Sequence, residues 1–333
     1  MTVPATPASF VDNELELRLQ SIRYEAQDIV SLEWHSPHHD VLPPFTAGAH
    51  IDLRLGDALT RSYSLVNPEH ERDRYMIAVK RDPASRGGSR FVHEQLRVGG
   101  LLRATAPRNH FRLCEDAPHS VLFAGGIGIT PLWSMIQRLD QLARSWELHY
   151  SARSQEHAAF VDHALSLAAG QGQGRVYCHY DDVHGQDGRL DLSEAIGRVA
   201  ADAHVYCCGP APMLDAFERA CAARDPSTVH LERFAPTLAS APATTAGYTV
   251  TLARTGRTIP VAPGQSILTA LLDAGVSAPH SCKEGVCGSC ETRVLEGTPN
   301  HRDSVLSASE RASNRTMMIC CSGSKGDALV LDL

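Results

Sequence analysis

The spacing of apolar positions changes twice along the chain, and each change marks a different kind of structure. Over residues 15–107 the period is two: Leu15, Leu17 and Leu19 alternate with Glu14, Glu16 and Arg18, and Ile51, Leu53 and Leu55 alternate with Asp52 and Arg54. Alternation of this kind puts one face of a strand on a core and the other in water. Residues 75–79 form another short apolar run, and Ser36-Pro37, Pro43-Pro44 and Asn67-Pro68 punctuate the series. Short strands at this spacing predict a small antiparallel β-barrel. One helix is expected to interrupt it, opened by Arg86-Gly87-Gly88 with Ser89 as N-cap and carrying Phe91, Val92 and Leu96.

From Ser120 short continuous apolar runs alternate with helical ones. Residues 121–124, 148–150, 175–180 and 205–207 read as buried strands, while 132–143, 155–168 and 211–223 read as helices. Strand and helix in alternation predict an α/β unit with a parallel sheet covered on both faces. Residues 236–246 are rich in Ala, Thr and Pro, carry no charge and show no period. That is a linker pattern, and fully extended it spans at most about 35–40 Å. Beyond it, residues 248–253 and 257–261 flank Thr255-Gly256 as a hairpin, Ser266 caps a helix through residue 274, and residues 328–333 form a closing strand. Hairpin, crossing helix and closing strand predict an α+β unit of β-grasp type. The expected division is 1–112, 113–235, a linker at 236–246, and 247–333.

Length supports that multidomain reading, because 333 residues exceed one ordinary core. The net charge of −7, with 43% hydrophobic and 21% charged residues, is that of a globular protein and offers no basic stripe for a nucleic acid. The most apolar run, 121–136, is interrupted by three glycines and a proline and is shorter than the ~20 residues that span a bilayer. Residues 1–10 carry neither a basic region nor an apolar stretch of signal-peptide length. A cytoplasmic monomer without membrane or nucleic-acid partners is therefore expected. In a reducing compartment ten cysteines point to metal or redox chemistry more than to disulfides. Cys114, Cys178, Cys207 and Cys221 are scattered, as buried small hydrophobes are.

Three stretches carry candidate chemistry. Cys282, Cys287 and Cys290 lie within nine residues, with Cys320 and Cys321 some thirty residues on. The spacing C-x4-C-x2-C followed by a distant cysteine is that of a plant-type [2Fe-2S] site. Four thiolates also bind zinc, although structural zinc sites usually present two C-x2-C pairs. Gly285 and Gly288 leave room for backbone amides to approach the sulfurs. Cys320 and Cys321 compete for the fourth ligand, since neighbours on a strand face opposite ways. Next, Gly125-Gly126-Ile127-Gly128-Ile129-Thr130-Pro131 runs straight from a strand into a helix, where backbone amides and the helix dipole suit a pyrophosphate. It departs from G-x-G-x-x-G, and by itself it is also what a tight connection looks like. Cys208-Gly209-Pro210 supplies a second such turn at the same sheet edge. Third, Arg61-Ser62-Tyr63-Ser64 combines a bidentate phosphate donor, an aromatic face and small hydroxyls, and with Arg86-Gly87-Gly88-Ser89 it could hold a flavin. Alone, Tyr63 also reads as core and Arg61 as a solvated charge.

Taken in this order the three stretches closely resemble the phthalate dioxygenase reductase family, within the ferredoxin-NADP reductase-like superfamily, over nearly the whole chain from about Leu15. The resemblance implies an FMN barrel (1–112), an NADH-binding α/β domain (113–235) and a plant-type [2Fe-2S] ferredoxin domain (247–333). It implies flavin binding by Arg61, Tyr63 and Ser64, with Ser64 near the reactive N5, and phosphate binding by Gly87, Gly88 and Ser89. NADH falls to Gly125, Gly126, Gly128, Thr130 and Pro131, and Cys208, Gly209 and Pro210 to the nicotinamide end. Ser64 and Cys208 would orient and polarise without a covalent role, and Phe234 would touch the flavin. The family's C-x-S ending favours Cys320 beside Cys282, Cys287 and Cys290 as cluster ligands. Residues 247–333 hold eight Lys/Arg and eight Asp/Glu, unlike the strongly acidic separate ferredoxins. A covalently attached reductase removes the need for long-range steering. The implied acceptor is a Rieske-type oxygenase for an aromatic carboxylate such as phthalate. Reductases of vanillate-type demethylases or quaternary-amine monooxygenases look alike, and a non-catalytic iron–sulfur redox sensor is the alternative from another class. Arg153, just past the second strand, leaves NADPH open.

Overall fold

A computed structural model describes residues 14–56, 59–171, 173–184, 189–235 and 247–333. The expected linker 236–246 and the segment 1–13 lie outside the described residues. Strands β1 (Glu14–Ala26), β2 (Ile29–His35), β3 (His50–Leu55), β4 (Leu59–Ser64), β5 (Tyr75–Lys80) and β6 (Leu101–Thr105) form one antiparallel sheet in the order β4-β3-β6-β1-β2-β5. A bridge between Leu65 and Ile77 joins its two ends and closes it into a barrel. The alternating leucines of β1 and β3 fill the interior together with Trp34 and Tyr75.

Helix α1 (Gly88–Glu94) differs in detail from expectation, because Gly87 and not Ser89 is its N-cap. The Ser89 hydroxyl is already engaged, accepting from the Asp82 amide at 3.1 Å, and Ser85 Oγ takes the amides of Gly87 and Arg90 instead. With φ at 98°, the Gly87 position suits glycine.

The second sheet is wholly parallel, in the order β11-β10-β7-β8-β9. It comprises β7 (Ser120–Gly125), β8 (Trp146–Ala152), β9 (Gly174–Tyr180), β10 (His204–Cys208) and β11 (Val229–Glu232). Its helices are α2 (Ile129–Gln141), α3 (Val161–Gln171), α4 (Asp181–His184), α5 (Leu192–Gly197) and α6 (Ala211–Ala220). α2 begins three residues before the apolar pattern indicated. Pro131 falls in its first turn, where a missing N–H leaves no bond unmade. α3 begins later than expected, since Phe160 adopts φ 62° and separates it from a short turn at Gln155–His157.

The third sheet is mixed, as a β-grasp requires. It takes β12 (Tyr248–Leu252), β13 (Thr258–Val261), β14 (Glu291–Glu296), β16 (Thr316–Met318) and β18 (Ala328–Leu331) in the order β13-β12-β18-β14-β16. β12 and β18 pair parallel, and the other pairings are antiparallel. β15 (Pro299–Asn300) and β17 (Gly323–Ser324) form a small separate pair, and α7 (Ile267–Asp273) and α8 (Ala308–Ser313) complete the unit. Ser266 caps α7 by accepting from the Thr269 amide at 3.1 Å. No helix among the described residues is long and apolar enough to cross a membrane.

Candidate functional site

A cavity of about 540 Å³ open volume is walled by all three units. The barrel gives it His50, Arg61 and Ser64, the strand end after β11 gives Glu232 and Phe234, and the cysteine loop gives Cys282 and Glu284. Arg61 is fixed rather than solvated: Nη1 donates to the Thr60 carbonyl at 2.9 Å and Nη2 to the Arg86 carbonyl at 3.1 Å. Its stem crosses Gly88, where a Cβ would come within 2.8 Å of Arg61 Cγ. Gly87, Gly88 and Ser89 hold this turn behind the arginine and do not line the cavity themselves. Tyr63 is also absent from the wall. It packs against the barrel core, and burial pushes its phenol well up. In β4 it points away from Ser62 and Ser64, as alternation on a strand demands.

Among the wall residues that escaped the sequence reading, two hold a buried polar atom without a partner. His50, the β3 partner of Ser64 in register, is 5% exposed and its Nε2 has no hydrogen-bond partner. Burial pushes its pKa down to about 4, against the pull of Asp52 in the other direction. Glu232 stands opposite Cys208 in the parallel register of β10 and β11. The residue is half-buried, yet its Oε2 is sealed from solvent without a partner, and burial pushes the carboxyl up to about 8. A glutamate closing the short parallel strand Val229–Glu232 was the signal available in the sequence.

A larger cleft, about 1800 Å³ in open volume, adjoins this cavity and shares Arg233 and Phe234 with it. Gly125, Gly126, Gly128, Gly209 and Pro210 form its wall at the ends of β7 and β10. The two turns interlock: a Cβ on Gly125 would lie 2.6 Å from Pro210 Cδ, and one on Gly128 would overlap the Cys208 carbonyl. Gly126, at φ 52°, turns the chain into α2, and the N-terminus of a helix is where an anion is favoured. Thr130 and Pro131 are buried beneath this turn, and Thr130 Oγ1 donates to the Ile127 carbonyl at 3.0 Å. They shape the wall without lining it. Cys208 is likewise fully buried and lines neither space, and burial pushes its thiol far up, so it stays neutral. Phe234, 43% exposed, forms the partition between cavity and cleft. Arg233 beneath it is anchored to Asp215 at 3.3 Å and Glu218 at 2.5 Å.

In the cysteine loop Lys283, Gly285 and Gly288 adopt φ of 58°, 72° and 71°, which curls the backbone around the sulfurs. The Glu284 amide donates to Cys282 Sγ at 3.3 Å and the Cys282 amide to Cys287 Sγ at 3.5 Å. The thiols converge on one another. Cys282 is held down by hydrogen bonds from Cys287 and then Cys320, and the same contacts push Cys287 and Cys320 up. Cys320 also meets Cys290 and Cys321, and Cys321 Sγ lies against Gly285, where a Cβ would come within 2.5 Å of it. Among the described residues no group of three or more His, Cys, Asp or Glu is arranged to hold a single metal ion. Converging thiols with backbone amides aimed at sulfur fit an iron–sulfur cluster. The cavity, with His50 Nε2 and Glu232 Oε2 buried and unpartnered, fits an aromatic cofactor with polar edges.

Known sequences and structures resemble this chain over its length. Residues 250–324 match the 2Fe-2S iron-sulfur cluster binding domain and residues 122–219 the oxidoreductase NAD-binding domain. The phenoxybenzoate dioxygenase subunit beta of Ectopseudomonas oleovorans is 54% identical over 319 residues, covering 96% of this chain and 97% of that protein. Tetrachlorobenzoquinone reductase of Sphingobium chlorophenolicum is 50% identical over 321 residues, covering 96% and 98%. The crystal structure of phthalate dioxygenase reductase superposes with a TM-score of 0.68 at 38% identity, covering 97% of this chain and 98% of that one.

Proposed function

The chain belongs to the phthalate dioxygenase reductase family of NADH-dependent flavin and iron–sulfur oxidoreductases, and on that premise we propose that it feeds single electrons to a Rieske-type oxygenase acting on an aromatic carboxylate such as phthalate. The observation that carries this reading is the shared cavity, in which Ser64, Phe234 and Cys282 face one space from three separate units. Residues 1–112 act as the FMN domain, 113–235 as the NADH domain, 236–246 as the tether and 247–333 as the ferredoxin, in a cytoplasmic monomer.

Bound flavin supplies the conversion between a hydride, which is all NADH donates, and the single electrons a [2Fe-2S] cluster accepts. The protein's own contribution is positional. Arg61, locked to the 86–88 turn, holds the flavin's phosphate side, with Gly87, Gly88 and Ser89 behind it. Ser64 presents its hydroxyl at the flavin's reactive edge. Gly125, Gly126, Gly128, Gly209 and Pro210 seat the dinucleotide, and the buried Thr130, Pro131 and Cys208 keep those turns in register. Phe234 covers the cavity until the nicotinamide takes its place. Cys282, Cys287, Cys290 and Cys320 hold the cluster, with Cys282 on the flavin side.

Anaerobic addition of NADH to the purified holoprotein should bleach both flavin and cluster bands, and addition of a Rieske oxygenase, its aromatic acid and O₂ should give product. Bleaching without product across a panel of such oxygenases would refute the assigned partner while leaving the reductase intact. One relative supports a second acceptor: the protein named tetrachlorobenzoquinone reductase is 50% identical. If quinones are reduced directly from the flavin, NADH-dependent reduction of tetrachlorobenzoquinone survives Cys290→Ser.

A further inference from the structure

The cavity accounts for Cys282 and Glu284, but the next stretch of the cysteine loop meets the barrel outside it. Three consecutive loop residues each find a barrel partner. The His50 ring lies beside the backbone of Cys287. His110 lies flush on Gly288, so closely that a Cβ there would overlap its ring. Ser289 Oγ donates to Asp52 Oδ2 at 3.3 Å. Asp52 has no solvent exposure and is held from the barrel side by Ser62 Oγ at 2.5 Å and by the Arg108 guanidinium. His50 and His110 stand with ring centroids 6.0 Å apart, which makes the three partners one continuous face. Arg86 and Glu284 pair at its rim.

We propose that this face is the intramolecular docking site of the cluster loop, and that His110 and Asp52 are positioning residues for electron transfer from flavin to cluster. The inference rests on the flavin-to-cluster reading above. A buried carboxylate without an oppositely charged loop partner adds little attraction, but it accepts hydrogen bonds only in one geometry. A glycine beneath an imidazole permits the approach that any other residue forbids. Together they select a single docked arrangement, in which one electron leaves the reduced flavin and the oxidised cluster gains it. Hydride transfer would belong to the far side of the cavity, where Phe234 borders the cleft, and would not use this face.

Stopped-flow absorbance on the anaerobic holoprotein separates the two phases, and amide hydrogen exchange of residues 286–290 reads docking directly. His110→Ala should leave flavin bleaching by NADH unchanged, slow cluster bleaching about tenfold, equivalent to about 1.4 kcal/mol in the docking equilibrium, and raise exchange in 286–290. His110→Phe, which keeps a ring over Gly288, should restore both. Asp52→Asn should act in the same direction as His110→Ala, and the His110 pair decides the matter if Asp52→Asn fails to fold. Cluster bleaching at the wild-type rate in His110→Ala, or unchanged exchange of the loop, would overturn the proposal. Failure of NADH to bleach the flavin in the unaltered protein would instead overturn the reductase reading and this inference with it.

Discussion

Glu232 makes the fold itself pH-sensitive, and the size of the effect follows from its surroundings. Burial is the one cause of its raised pKa; Arg61, Arg86 and Arg233 line the same cavity without drawing it down. Between the ordinary 4.5 and the raised value of about 8, the folded chain holds a proton that the unfolded chain has released. Stability therefore falls as pH rises through that window, and what is lost on the way to about 8 is fully present below 4.5. The whole displacement corresponds to about 5 kcal/mol. Part of the residue remains exposed, and solvent screening reduces this to about 2 kcal/mol. That is about 4–8 °C in unfolding temperature for a unit of this size. Glu232→Gln keeps the shape and cannot ionise. Because cofactor loss makes unfolding irreversible, wild type and variant must be compared at one scan rate. Moving from about pH 5.5 to about pH 8.5 covers about 2.5 of the 3.5 pH units between 4.5 and about 8 and should lower the wild-type midpoint by about 3–6 °C more than the variant's. The carbonyl stretch of a protonated carboxylic acid, present in wild type at neutral pH and missing in Glu232→Gln, is the direct check. Parallel midpoint curves, or a fully ionised carboxyl at neutral pH, would refute the reasoning.

Three further outcomes follow from the same geometry. Cys290→Ser should abolish cytochrome c reduction through the cluster while sparing NADH-to-ferricyanide turnover from the flavin; joint loss would show that the two units do not work separately. Gly128→Ala leaves the backbone unstrained, but the new Cβ overlaps the Cys208 carbonyl and comes within 2.8 Å of the Gly209 amide. The two turns must part by about 1 Å, and displacement on that scale can cost about 100-fold in kcat/KM for NADH, read from steady-state kinetics with ferricyanide. Arg108→Leu leaves Asp52 buried without its guanidinium, at a cost of about 3–5 kcal/mol, so the barrel should melt well below wild type in a thermal scan followed by flavin release. A midpoint unchanged in that variant would mean Asp52 takes up a proton at little cost.

Much of the architecture was legible because it is written locally. The switch from period two to strand–helix alternation, the hairpin at Thr255-Gly256 and the cap at Ser266 each need only a few neighbouring residues. The cysteine loop is legible for the same reason, with three ligands inside nine residues. Errors arose where one side chain had two possible partners. Ser89 is a good cap by type, but the Asp82 amide claims its hydroxyl. What stayed hidden was brought together by tertiary structure alone. His50, Asp52 and His110 meet residues 287–289 more than 170 positions away, and no local pattern records such a contact.

The two sides of the cavity proposed for the flavin are built differently, and the difference matches what would cross them. On the nucleotide side the partition is Phe234, partly exposed, with a wide cleft behind it. A dinucleotide must enter and leave there at every turnover, so this wall has to open. On the cluster side the wall is Cys282, Glu284 and Val286, backed by the buried His50 and Asp52 and by the His110 ring against Gly288. Electrons need proximity and no passage, so this wall gains from being closed and dry. Tight packing on that side also explains the glycine at position 288: it sets how near the cluster loop can lie to the barrel, and therefore to the flavin. The same packing hides one flank of the loop, so an external acceptor has to reach the cluster from another flank or wait for the loop to lift. If it must wait, weakening the docking face by His110→Ala would slow entry of electrons into the cluster and speed their departure to the acceptor. Opposite changes in those two phases would then be the signature of a loop that serves two partners in turn.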